Sequence, residues 1–220
     1  MDFKEFEQQR GEVAECMARL YRTGLTTTSG GNISLRLNDE LFCITPSALD
    51  KSCLTADTVA IVTMDGKNLT PHLKLSIEGE MHRLTLINRP DVDAVVHAHP
   101  CYATAFTTIR KPDGSLALNT RLIGESWFVL GEPVLVPYYR MGSEELAQAV
   151  SDAAGKCDVL LMENHGVLAV GSTLLKAFDR IEVLENAARM SVITQTMANG
   201  GYVVKSLDDA ECDVLTAMGK

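Results

Sequence analysis

Residues 93–100 read DAVVHAHP, a short apolar run that ends in two histidines and a proline. The valines and the brevity of the run predict a buried strand. The proline closes it, because the residue before proline prefers extended geometry and proline itself suits the first turn of a following helix. On an extended strand residues two apart share a face, so the imidazoles of His97 and His99 point the same way. A paired display of this kind at a strand end suits a metal ion.

Working outward, the C-terminal half supplies strand candidates at 134–137 (VLVP), 159–162 (VLLM) and 166–170 (GVLAV). A helical pattern runs from Ser143 to Ala154, and the longest one from Thr173 to Ala198. On the N-terminal side, Phe3, Phe6, Val13, Met17 and Leu20 recur at helical intervals and Gly24 follows as a stop. Residues 33–37 (ISLRL) alternate apolar with polar, 41–45 (LFCIT) and 58–63 (TVAIVT) are further strands, and Asp65-Gly66 is a favourable hairpin turn. Ser76 is placed to N-cap a helix through Ile77, Met81, Leu84 and Ile87 that stops at Asn88-Arg89-Pro90, which puts Glu78 in its first turn. With no internal repeat or linker, the pattern predicts one domain over residues 1–220, of α/β or layered α+β class.

At 220 residues, with 46% hydrophobic and 22% charged residues, the composition is that of an ordinary soluble globular protein. A net charge of −9 argues against a nucleic-acid surface, so an anionic substrate needs a metal, a helix N-terminus or a nest of amides. The opening MDFKEFEQQR lacks the apolar run of an export signal, and no stretch is apolar enough for a membrane helix. Six scattered cysteines without a CxxC pair then fit reduced, mostly buried thiols in a cytoplasm.

Catalytic zinc takes three protein ligands and leaves one position open, so the HAH pair needs a third donor. His165, in the polar turn ENHG between two apolar strands, is the best candidate. His72 and His82 read as structural. Glu78 reads equally as a catalytic base or as a carboxylate favoured by the helix dipole. The glycines of SGGN (29–32) free the backbone to turn amides, with Ser29 and Asn32, toward one anion. No GxGxxG or GxxxxGK[ST] pattern occurs, which removes the usual nucleotide loops.

Four segments in order now carry a resemblance: TSGGNISLR (28–36), ITPSALDKSCLTADTVAIVTMDGK (44–67), KLSIEGEMHRLTLINRPDVDAVVHAHPCYATAFT (74–107) and MENHGVLAVG (162–171) before a long helix. From about Phe6 to Thr194 the chain resembles the class II aldolase and ribulose-phosphate 4-epimerase (adducin-head) superfamily, its fuculose-phosphate aldolases most of all. The resemblance implies a three-layer fold with a central, mainly antiparallel β-sheet flanked by helices. It matches His97, His99 and His165 to the zinc ligands, one ion per subunit, in a site that also accepts cobalt, manganese or iron. Glu78 matches the catalytic carboxylate, where the 4-epimerases carry aspartate. Ser29, Asn32, Ser47 and Ser76 match positions that hold a substrate phosphate. A homotetramer with active sites between subunits is also implied.

The implied activity is reversible aldol cleavage of a ketose phosphate into a dihydroxyacetone-phosphate-like fragment and an aldehyde. The zinc acts as Lewis acid and Glu78 moves the proton. The departures are specific. Ile77 stands where the aldolases have a second phosphate-binding serine, and Ala48 replaces a glycine. Segment 121–131, RLIGESWFVLG, lacks the tyrosine that serves as proton donor across the subunit boundary. Glu125 and Trp127 are its nearest replacements, with Tyr102 and Tyr138 elsewhere. No tyrosine occurs in the last residues to Lys220 either. These departures keep open a decarboxylase, dehydratase or epimerase acting on a related sugar phosphate. A non-catalytic adducin-like scaffold is less suited, because it has no need of three ligands and a carboxylate.

Overall fold

The computed structural model describes residues 3–218, so Met1, Asp2, Gly219 and Lys220 of the 1–220 range lie outside the described residues. The elements run α1 (Glu7–Arg22), β1 (Asn32–Arg36), β2 (Leu41–Ile44), β3 (Ala60–Thr63), α2 (Gly79–Asn88), β4 (Ala94–Ala98), α3 (Cys101–Phe106), α4 (Gly124–Leu130), β5 (Val134–Val136), α5 (Glu144–Ala154), β6 (Val159–Met162), β7 (Gly166–Gly171), α6 (Leu174–Asn199) and α7 (Asp209–Met218). The strands form one seven-stranded sheet in the order β3-β2-β1-β4-β7-β6-β5. Every pairing is antiparallel except β5 with β6.

Period-2 alternation divides the sheet residues between two cores. Ile33, Leu35, Ile61, Val96, Leu161 and Val167 face α1 and α6, where Met17, Leu20, Phe178 and Leu184 fill the space. Phe42, Val62, Val95, Leu160, Leu168 and Val170 face α2 and α5, against Met81, Leu86, Leu146 and Val150. The result is the expected helix–sheet–helix sandwich. Truncating Phe178, which is 1% exposed, to alanine costs ~3–5 kcal/mol on the usual scale for a buried aromatic.

Local chemistry sets the boundaries. Ser143 Oγ accepts from Leu146 N at 3.1 Å and Thr173 Oγ1 from Lys176 N at 3.2 Å, capping α5 and α6. Gly66, at φ 93°, makes the tight turn after β3. Ser76 does not cap α2. Its carbonyl accepts from Gly79 N and its hydroxyl from Glu78 N, so residues 76–79 form a separate turn. The helix begins at Gly79, and Glu78 is its N-cap residue, without a side-chain capping bond. Ile77 is consequently outside the helix and 58% exposed. The cysteines are all unpaired, but Cys53 and Cys101 are exposed rather than buried. No helix of the described residues is long and apolar enough to cross a membrane.

Candidate metal centre

The middle of the sheet brings the histidines together. β4 delivers His97, and His99 follows just past its end. Neighbouring β7 begins at Gly166, immediately after His165. The ring centroids of His97 lie 4.6 Å from His99 and 4.9 Å from His165, with 5.7 Å between the latter two. Among the described residues, these three form the group of His, Cys, Asp and Glu side chains able to hold a metal, one donor atom of each lying within 4.8 Å of the others.

Two glycines permit this crowding. A Cβ at Gly166 would lie 2.4 Å from His99 Cδ2 and 2.8 Å from Ala98 O, and one at Gly30 would lie 2.7 Å from His99 Nδ1. Asn164, at φ 52°, turns the chain into His165 in the left-handed region that asparagine tolerates.

The hydrogen bonds fix which nitrogen serves. His97 Nδ1 donates to Val167 O at 2.8 Å, which leaves the Nε2 lone pair pointing into the site, buried and without a hydrogen-bond partner. Glu78 Oε2 lies 3.3 Å from that lone pair, and Oε1 lies 2.8 Å from His165 Nε2 in a contact not aligned as a hydrogen bond. A carboxylate facing an imidazole lone pair is repulsive unless a cation stands between them. A proton fits poorly there: burial pulls the His97 imidazole below its usual range, and burial, then the neighbouring His97 and His165, pull His99 down to about 3. Burial also opposes ionisation of Glu78. His97, His165 and the Asn32 amide outweigh it and hold the carboxyl well below the usual carboxylate range. A divalent cation satisfies all of these groups at once.

Around this centre three loops are laced together. Lys51 N donates to Thr28 O, Ser47 N to Lys74 O, and Asn32 Nδ2 to Ser76 Oγ at 3.1 Å. The structure thus draws Asn32, Ser76 and Glu78 directly together, with Ser47 one loop away; Ser29 is exposed on the 26–31 loop. Ala48 keeps a glycine-like φ of 62°, at a cost of ~1–2 kcal/mol for a residue with a Cβ.

Two residues of this neighbourhood escaped the sequence reading as site components. Lys51 is 2% exposed, its ammonium donates to Pro46 O at 2.5 Å, and burial lowers its pKa to about 8. His82 is fully buried against Asn32 and Ser34. Neither carries a local sequence signal: the His82 partners lie 48 and 50 positions away, and Lys51 meets a backbone carbonyl, which any residue offers. His72 is exposed.

Segment 121–131 folds as a 3-10 turn and α4, which pack on α6 and α7. There the Trp127 indole N–H donates to Cys212 O at 3.0 Å, and Glu125 is exposed. Tyr138 is 59% exposed, and Tyr102 lies under Arg189 with the guanidinium 5.7 Å from the ring centre.

Known proteins share this architecture. The chain is 32% identical to a 3-oxo-tetronate 4-phosphate decarboxylase of Haemophilus influenzae, over 91% of this chain and 92% of that protein. It is 35% identical to an L-fuculose phosphate aldolase of Methanococcus vannielii, over 89% and 98% respectively. A solved L-fuculose 1-phosphate aldolase superposes with a TM-score of 0.83 at 27% identity, over 99% of this chain and 97% of that one. The family model described as Class II Aldolase and Adducin N-terminal domain matches residues 11–192, and the chain belongs to that family.

Proposed function

We propose that the chain is a metal-dependent lyase acting on a small sugar phosphate, breaking the bond between the carbon next to the carbonyl and its further neighbour, with residues 1–220 acting as one catalytic domain. The observation that carries this reading is the Glu78 carboxylate held against the imidazoles of His97 and His165, where a bare lone pair demands a cation. His97, His99 and His165 would hold zinc, or cobalt, manganese or iron in its place, and the ion would supply Lewis acidity to the substrate carbonyl.

The protein's own groups do the rest. Glu78, ionised and buried, takes the proton from the carbon beside the carbonyl in the aldol direction and returns it in cleavage. The Ser76 hydroxyl oxygen already accepts from Asn32 Nδ2 and Glu78 N, which leaves its hydrogen free to donate to an anion. With Ser29, Asn32 and Ser47 it forms the proposed phosphate cradle, reduced by Ile77 and Ala48. Lacing of these loops keeps the cradle in register with Glu78. The working form is a cytoplasmic homotetramer with sites between subunits, as in the family resemblance.

The first reading is reversible cleavage of a fuculose-1-phosphate-like ketose phosphate to a dihydroxyacetone-phosphate-like fragment and an aldehyde. A second, decarboxylation of a 3-oxo sugar-acid phosphate, is favoured by segment 121–131. Aldol cleavage needs a second group to remove the hydroxyl proton from the departing carbon. Loss of carbon dioxide does not, and this segment has no tyrosine while its indole N–H is engaged by α7. Both readings share the metal, Glu78 and the phosphate cradle. The experiment is to incubate metal-loaded protein with ketose 1-phosphates and with 3-oxo sugar-acid 4-phosphates, following aldehyde and carbon dioxide, with and without chelator. Chelator-sensitive aldehyde release supports the first reading and chelator-sensitive carbon dioxide release the second. Turnover that survives complete metal removal discards both.

A further inference from the structure

Four side chains behind the metal centre form a buried chain of hydrogen bonds that ends on Glu78. Ser34 Oγ lies 2.7 Å from His82 Nδ1, His82 Nε2 lies 2.5 Å from Asn32 Oδ1, and Asn32 Nδ2 lies 2.7 Å from Glu78 Oε2. Ser34 and His82 are 0% exposed and Asn32 4%. The elements that build the chain are rigid. Asn32 and Ser34 lie two apart on β1, so they share the face turned to α2, and Asn32 is paired with His97 in the β1–β4 register. His82 lies one turn beyond Glu78, and its backbone N–H donates to Glu78 O.

The donor directions follow from chemistry. An ionised carboxylate only accepts, so the Asn32 amide presents its NH2 to Glu78 and its carbonyl to His82. A carbonyl also only accepts, so His82 Nε2 carries hydrogen. A neutral imidazole has one N–H, which leaves Nδ1 to accept from the Ser34 hydroxyl. Burial, with His97 next in effect, pulls His82 down to about 3, in keeping with the neutral ring. All three bonds therefore point the same way and polarise one another toward the carboxylate. Both Asn32 amide hydrogens are used, one on Glu78 and one on Ser76. Glu78 Oε2 is held by a fixed donor, while Oε1 has only its unaligned 2.8 Å contact with His165 Nε2 on the metal side.

We propose that His82 is a positioning residue for Glu78: through the Asn32 amide it fixes the carboxylate and leaves Oε1 as the oxygen that exchanges a proton with substrate. The inference rests on the proton-transfer role of Glu78 given above. It deepens that role by naming which oxygen is held and by what. A histidine that merely filled the core would satisfy its nitrogens with any partners in any tautomer.

The test joins a spectroscopic reading to kinetics on the zinc-loaded protein. Nitrogen-15 NMR of the histidine rings is expected to show His82 neutral with hydrogen on Nε2; hydrogen on Nδ1 overturns the proposal, whatever the protein's activity. In parallel, His82→Leu removes the donor to Asn32 and is expected to lower kcat by ~10–100-fold, the range seen when groups behind a metal site are removed. KM should stay within about twofold and metal content should be unchanged. His82→Gln, which restores a donor, is expected to recover kcat to within about fivefold of wild type. A His82→Leu protein with wild-type kcat, or a folded His82→Gln protein no better than His82→Leu, overturns the proposal. If His82→Leu does not fold, the wild-type ring tautomer and the His82→Gln kinetics still decide. Absence of lyase activity with hydrogen on Nε2 counts against the function proposed above and leaves the hydrogen-bond chain standing.

Discussion

His97 and His82 are both fully buried, one paired with the Asn32 backbone and the other bonded to its side chain, and they differ in one nitrogen. His82 spends both ring nitrogens on neighbours, whereas His97 donates from Nδ1 and keeps the Nε2 lone pair bare. A buried polar atom with no partner costs ~1–3 kcal/mol, so a fold that tolerates one is holding it for something absent from the chain itself. On the roles proposed above, the satisfied ring braces and the bare ring binds.

The strongest way to break this contrast is to remove the bare nitrogen. His97→Ala is expected to abolish metal retention and lower activity on the order of 10³-fold or more, since the nucleophile- and carbonyl-activating charge goes with the ion. Metal analysis after dialysis alongside turnover checks it, and full metal content in the variant would end the ligand assignment. Next in size, Glu78→Gln removes the proposed base but leaves the imidazoles, so kcat should fall by ~10²–10⁴-fold with the metal still bound. Steady-state kinetics on that variant would contradict the role if kcat stayed at the wild-type level.

The third test sharpens the other half of the contrast through pH. His82 has a folded pKa of about 3, below its unfolded value, so between those values the unfolded chain takes up a proton that the folded chain does not. Stability is therefore lost as pH falls below about 6.5, by ~1.4 kcal/mol per unit from this group, and is independent of it at higher pH. The stability advantage of wild type over His82→Gln should shrink by that amount per unit on acidification, measured by urea unfolding at pH 7.5, 6 and 5, values chosen to span about one and a half units below the unfolded pKa. Parallel pH curves for the two proteins would mean that His82 takes up its proton alike in the folded and unfolded chain, against the buried neutral ring. Smallest of all, Ser29→Ala on the exposed loop is expected to raise KM for a phosphorylated substrate by roughly tenfold, the low end for a hydrogen bond to a charged group, with kcat unchanged. Identical KM values would remove Ser29 from the cradle.

Much of the architecture was legible because its signals are local. Alternation marked β1, short apolar runs marked the other strands, 3.6-residue spacing marked α1 and α6, and Ser143 and Thr173 capped helices where the pattern began. Of the short helices, α3 was signalled only by Pro100 before it, and α4 and α7 escaped notice: α4 has two turns, too few to set up a period, and α7 buries only Cys212. The misplacement of Ser76 has a different cause. Its hydroxyl does accept a backbone N–H, but in a turn that precedes the helix, a distinction no propensity records. The histidine triad was readable from the HAH spacing, the ENHG turn and the family resemblance. The Ser34–His82–Asn32 chain was not, since its members are satisfied only by partners 48 and 50 positions away.

The close approach at Gly166 ties the three imidazoles to the sheet that carries them. A single added methyl group there would lie 2.4 Å from the His99 ring and 2.8 Å from the carbonyl oxygen of Ala98 at the end of the neighbouring strand. Any side chain at this position therefore crowds the imidazole cluster and the strand ladder at once.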